Sequence, residues 1–215
     1  MFANIIRILS VIIVLSIWLI PVVMKHSLSD SDREYMTHFE AGYSCFQKKD
    51  YDCAMSEYNK AYKIYSEDRT LYIRIAWVYE RIGLYDDALK YAKKALKFPE
   101  SKSIYKRANG FMFPLHEEIS IYDIIGKASL ETGNFNDAIS AYKYVLEHNS
   151  FKYSDAHYYL GQAYLGLGDN RTALDEFMHH KATIEEYLSD DVGTYYTQTD
   201  IDNVNQWINI VAGIK

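Results

Sequence analysis

Four stretches of this chain align with one another: YDCAMSEYNKAYKI from Tyr51, YDDALKYAKKALKF from Tyr85, FNDAISAYKYVLEH from Phe135 and NRTALDEFMHHKAT from Asn170. Their alanines Ala54, Ala88, Ala138 and Ala173 recur at a nearly fixed interval, except that the step from Ala88 to Ala138 is one period enlarged by an insertion. Twelve residues before each alanine stands another small residue, Gly42, Ala76, Gly126 or Gly161. Small side chains at matched places let two antiparallel helices approach to the short limit of about 8 Å. Gly83, Gly133 and Gly168 fall between the two small positions, where a left-handed turn ends the first helix, and Lys49 takes that place in the first unit. Only 10 Gly and 3 Pro punctuate 215 residues of which 49% are hydrophobic, which suits long packed helices and argues against a turn-rich sandwich or barrel. Units that cannot bury their apolar faces alone must stack.

The pattern resembles the tetratricopeptide repeat, W-x2-L-G-x2-Y, then A-x3-F, then P, in a period of about 34 residues. The fourth unit matches through Leu160, Gly161, Tyr164, Ala173 and Phe177, and the second through Ile75, Ala76, Tyr79 and Ala88, with Ala92 in the aromatic place. Ile125, Gly126, Ala138 and Tyr142 carry the third, and Gly42, Ala54 and Tyr58 the first; Ser129 and Cys45 replace the usual aromatic there. His38, Tyr72, Tyr122 and His157 stand where the family has Trp, and Pro99 is the nearest to its closing proline. The resemblance implies an all-α fold, a solenoid of helical hairpins in a right-handed superhelix, with repeats at 35–68, 69–100, 119–152 and 154–187 and an insertion at 101–116. Residues 188–215 are read as a loop and a capping helix, with Thr199 as its cap and Ile201, Val204, Trp207, Ile208 and Val211 as one apolar stripe sealing the last repeat.

Proteins of this family bind peptide segments on a concave face lined by the first helix of each hairpin. Carried over position by position, that face holds Phe39, Tyr43 and Phe46, then Ile73, Trp77 and Glu80, then Asp123, Lys127 and Leu130, then Tyr158, Gln162 and Leu165. Phe39 and Tyr43 occupy the places where members that clamp a terminal carboxylate keep Lys and Asn, so an apolar or aromatic peptide is the expected partner. The insertion, with Lys106, Arg107, Phe111 and Phe113 beside Asn109-Gly110, either folds back over a helix edge or forms a partner-contacting loop.

Ahead of the repeats, the run from Ile8 to Met24 carries no charge. With Asn4 to Ile6 added it covers roughly 32 Å as a helix, the thickness of a bilayer core. No Ala-x-Ala site follows in Val22-Val23-Met24-Lys25-His26, so residues 1–26 read as an uncleaved transmembrane signal anchor rather than a cleaved signal, and 27–34 as a polar tether. The expectation is a single-pass protein of a bacterial inner membrane with its repeats periplasmic, a cytoplasmic-facing arrangement being the alternative.

The net charge of −6 and pI near 5.6 argue against nucleic acid as a partner. Cys45 and Cys53 are placed symmetrically about Lys49 on opposite arms of the first hairpin. They pair as a disulfide if the domain faces an oxidising compartment and are small core thiols otherwise. Adjacent His179 and His180 point about 100° apart on a helix, which does not make a metal pair, and no phosphate loop, nucleophile elbow or HExxH is present. No metal, cofactor or catalytic residue is therefore expected. The sequence reads as a membrane-tethered binding scaffold or assembly factor. The alternatives are a non-catalytic subunit of a membrane enzyme, secretion or cytochrome maturation complex, or an array that associates with a second copy of itself.

Overall fold

In the computed structural model, the described residues are 28–99, 104, 114–148, 155–189 and 195–213. They form α1 (Asp30–Gln47), α2 (Tyr51–Ile64), α3 (Arg69–Arg81), α4 (Tyr85–Ala95), α5 (Pro114–Glu131), α6 (Phe135–His148), α7 (Ala156–Gly166), α8 (Asn170–Ser189) and α9 (Gln198–Ala212), and no strand occurs among them. Each helix packs on its sequence neighbours. In addition α1 touches α3, α3 touches α5, and α5 touches α7, so the first helices of the hairpins form an inner row and the second helices an outer one. The result is an all-helical solenoid of the tetratricopeptide type.

Local chemistry sets most helix starts. Ser29 Oγ accepts from Asp32 N–H at 3.1 Å while Asp32 accepts from Ser29 N–H at 3.2 Å, a capping box that starts α1 at Asp30. Residues 30–34, read as tether, are consequently helical. Asp50, Asp68 and Asp169 cap α2, α3 and α8 by accepting from the N–H groups of Cys53, Leu71 and Thr172. Pro114, in the first position of α5, extends that helix into the stretch read as insertion, because a proline's missing N–H costs nothing in the first turn. Asp200 accepts from the N–H and hydroxyl of Thr197 at 2.7 and 2.8 Å, so Thr197 rather than Thr199 stands ahead of α9.

The small residues meet at the hairpin crossings. Ala54, Ala88, Ala138 and Ala173 are all fully buried. A methyl group built on Gly42, Gly126 or Gly161 would lie only 2.6, 2.7 and 2.7 Å from the rings of Tyr58, Tyr142 and Phe177, each on the outer helix of the same hairpin. The second hairpin has Ala76 and Ala92 at those two places, both fully buried. A larger residue on the inner helix is thus matched by a smaller one on the outer helix, as close packing demands. Ile201 and Val204 of α9 are buried, and Trp207 stacks on Phe177 at 5.8 Å, so α9 covers the face that the fourth hairpin would leave open.

At the first turn, Lys49 holds φ 62°, matching Gly83, Gly133 and Gly168 at 78°, 74° and 79°. A side chain in this left-handed region costs roughly 1–2 kcal/mol. Lys49→Gly is expected to raise stability by about 0.5–1 kcal/mol in urea unfolding, after the extra freedom of glycine in the unfolded chain is deducted. Gly161→Ala gains about 1 kcal/mol of helix propensity but loses about 1–3 kcal/mol to overpacking against the buried Phe177 ring, so the same assay should show a net loss. A net gain would mean that the ring yields freely.

Candidate functional site

The inner row places the family-derived positions unevenly. Phe39 and Ile73 are 1% and 3% exposed, sunk among the hairpin cores, and do not line an open face. This corrects their assignment: Phe39 and Ile73 belong to the buried cores of the first two hairpins, whereas the later members of that column, Asp123 on α5 and Tyr158 on α7, reach solvent. Tyr43 is 40% exposed, and Phe46, Trp77, Lys127, Leu130, Gln162 and Leu165 are half-buried, so these positions reach the surface of the inner row. Lys106, Arg107, Phe111 and Phe113 lie outside the described residues.

Near α1 the surface of the inner row is aromatic. Phe46 stacks on Trp77 at 6.2 Å. The Arg74 guanidinium, off the predicted columns by one residue, lies 4.6 Å from the ring centres of both Tyr43 and Trp77. Such stacking fixes both rings and puts a cation beside them. Next along, Glu80 is 8% exposed and accepts from Lys127 Nζ at 2.5 Å, joining α3 to α5. Asp123 is among the exposed residues. The helices around it nevertheless withdraw much of its hydration and, with the Glu80 carboxylate, push the carboxyl up to about 6; Asp155 adds to the rise while Lys127 and Arg81 oppose it.

A cleft of about 430 Å³ is lined by Asp155, Tyr158, Tyr159, Tyr195, Tyr196 and Asp200 among others, at the α7–α9 end of the described residues. The Asp155 carboxylate accepts from Tyr196 Oη at 2.7 Å and from Tyr195 Oη at 3.3 Å. Tyr195 N–H in turn donates to Tyr187 Oη at 2.6 Å, which fixes the turn leading into α9. Burial, then the Asp155 carboxylate, push the Tyr195 hydroxyl up to about 12 and that of Tyr196 higher still. Sequence reasoning missed this cleft. Tyr195 and Tyr196 sit in a stretch without periodicity, and Asp155 reads as an ordinary helix-start residue.

The insertion is pinned at both roots. Ile104, 4% exposed, donates its N–H to the buried carboxylate of Asp68 at 2.7 Å. Thr70 Oγ1 donates to Glu117 Oε1 at 2.9 Å at the other end. The histidines at two of the Trp places are polar struts: His38 and His157 Nδ1 lie 2.7 and 2.6 Å from Glu57 and Glu176 of the following helices. No group of three metal-ligating side chains occurs among the described residues. Cys45 and Cys53 are joined by a disulfide across the first turn, with Cα atoms 5.7 Å apart.

Two family models, both described as tetratricopeptide repeat, match residues 70–108 and 125–178. These stretches cover the second hairpin and parts of the third and fourth, while the first hairpin, with Lys49 and the disulfide, falls outside them. No curated protein matches the chain. Among solved structures, the crystal structure of MamA is 21% identical with a TM-score of 0.55, over 84% of this chain and 91% of that one. PilW, described as a widely conserved type IV pilus biogenesis factor, is 17% identical with a TM-score of 0.63, over 86% and 73%. The apo form of RapI is 15% identical with a TM-score of 0.64, over 91% of this chain and 52% of that one. At these identities the likeness is one of fold.

Two outcomes follow from this geometry. A carboxyl raised by folding destabilises in its charged form, an effect absent below the ordinary carboxylate range and complete above about 6. Asp123→Asn should therefore gain stability relative to the parent as the pH of urea unfolding rises from 4 to 7; a difference constant over that window would contradict the assignment. Opening the disulfide, whose cysteines are separated by 8 in sequence, should cost about 2–3 kcal/mol by the chain-entropy relation, seen as a lower melting temperature with reductant and abolished in a Cys45→Ser/Cys53→Ser variant.

Proposed function

We propose that the chain is a membrane-tethered scaffold that holds a peptide segment of a partner protein in the furrow along its inner helices. The observation that carries this reading is the half-open aromatic wall of Tyr43, Phe46 and Trp77, held by the Arg74 guanidinium rather than sunk in a core. Large rings of this kind, pre-positioned and partly exposed, supply much of the binding energy of protein interfaces. Exposed rings and a stacked guanidinium are groups that bind, and on this reading the furrow is a binding surface. MamA, PilW and RapI share the fold, and an assembly function here accords with the description of PilW as a pilus biogenesis factor.

The tether rests on the sequence from Ile8 to Met24, which lies outside the described residues; no described helix is long and apolar enough to cross a membrane. The disulfide favours the arrangement in which the repeats face an oxidising compartment, such as the periplasmic side of a bacterial inner membrane. Anchoring would raise the effective concentration of the furrow near membrane partners, so that modest affinity suffices.

Tyr43→Ala combined with Trp77→Ala is expected to weaken partner capture from detergent-solubilised membranes by about 2 kcal/mol, close to thirtyfold, with helicity unchanged by circular dichroism. Undiminished capture would remove the furrow from the account.

A further inference from the structure

The two ends of the furrow differ in charge. The α1 end presents a cation, Arg74, stacked between rings. From α3 onward each inner helix contributes a carboxylate: Glu80 on α3, Asp123 on α5, Asp155 immediately before α7, and Asp200 on the sealing helix α9. Glu80 already has Lys127 as its counter-ion. Asp155 and Asp200 line the cleft, and no Lys or Arg lines it among the described residues. The side chains that hold these two carboxylates are hydroxyl donors: Tyr195 and Tyr196 for Asp155, Thr197 for Asp200. Neutral donors orient a carboxylate without cancelling its charge.

The rings make the second half of the site. Tyr159 meets Tyr158 at 5.4 Å, Tyr158 meets His180 at 5.5 Å, His180 meets Tyr196 at 5.8 Å and Tyr196 meets Tyr195 at 4.6 Å, a continuous aromatic chain around the cleft. Aromatic faces carry the negative end of the ring quadrupole and attract a cation placed over them. A carboxylate also accepts about four hydrogen bonds, and the two tyrosine hydroxyls use only part of that capacity. An anionic occupant would meet two carboxylates with no Lys or Arg among the described residues that line the cleft, and a purely apolar one would strip water from Asp155 and give nothing back. The volume suits a long side chain with the backbone that carries it.

We propose that this cleft seats a basic side chain, lysine or arginine, of the peptide segment that lies in the furrow, with the segment's apolar part over Tyr43, Phe46 and Trp77. The proposal rests on the furrow reading and adds to it a charge preference and a direction. Bound so, the ammonium or guanidinium takes the open lone pairs of Asp155 while its methylene stem lies along Tyr158 and Tyr195. A basic residue at one end of the segment, and an apolar stretch at the other, then fixes which way the segment runs.

The test uses the full chain in a neutral detergent and three labelled dodecapeptides of alanine and leucine that differ at two positions: lysine, norleucine or glutamate. Fluorescence anisotropy should show the lysine peptide binding about tenfold tighter than the norleucine peptide, the glutamate peptide weakest, and the gap narrowing as salt rises. Asp155→Asn should weaken the lysine peptide by about five- to tenfold and leave the norleucine peptide unchanged. Tyr195, 63% exposed, can be changed to Ala with little risk to the fold; Tyr195→Ala should weaken the lysine peptide by about threefold and serves if Asp155→Asn fails to fold. Equal affinity for lysine and norleucine peptides, no detectable binding of the lysine peptide, or a preference that survives both substitutions would overturn the proposal. The furrow reading is separated by Tyr43→Ala/Trp77→Ala, which should weaken lysine and norleucine peptides alike; loss of the lysine preference alone, with that double variant still sensitive, sinks the cleft and leaves the furrow standing.

Discussion

How closely the two helices of each hairpin can lie is decided by a single methyl group. Where Gly42, Gly126 and Gly161 leave their backbone bare, a ring from the outer helix rests directly against it. Where the second hairpin keeps a methyl at Ala76, the outer helix gives up its ring and carries Ala92 instead. Either choice fills the crossing, and because interiors tolerate neither voids nor overlap, the four hairpins can stack on one another with similar geometry. The inner row of helices is a consequence of those crossings.

That constraint was legible in part. The recurring alanines, the glycine turns and the first-turn Lys49 mark the hairpins without any coordinates, since period and turn chemistry are local properties of the chain. The exchange of volume between Ala76 and Ala92 was equally present in the letters, but it acquires meaning only once the two positions are known to touch. Phe39 and Ile73 show the opposite limit. Their columns were carried over from the resemblance, and the packing around α1 and α3 buries them while Asp123 and Tyr158, at equivalent places, reach solvent. Arg74, Asp155, Tyr195 and Tyr196 act through neighbours far away in sequence, or from a stretch without periodicity, and no pattern of spacing announces them.

The polarity of the furrow also shows why overall composition is a weak guide to recognition. A net charge of −6 argues against a nucleic-acid footprint, yet it says nothing of where the carboxylates stand. Along the inner helices they gather toward α7 and α9, while the aromatic wall and its stacked arginine occupy the α1 end. On the proposed reading, a surface graded in this way would discriminate by charge as well as by shape, suppressing wrong partners or a reversed orientation through repulsion.

The most direct test of the crossing rule converts the second hairpin to the form of the other three and measures stability by urea unfolding. Ala92→Tyr alone, with the Ala76 methyl still in place, should lose about 2 kcal/mol or more, whereas Ala76→Gly with Ala92→Tyr should return to within about 1 kcal/mol of the parent. Equal losses in the single and double variants would contradict the claim that one methyl group sets the spacing of each hairpin.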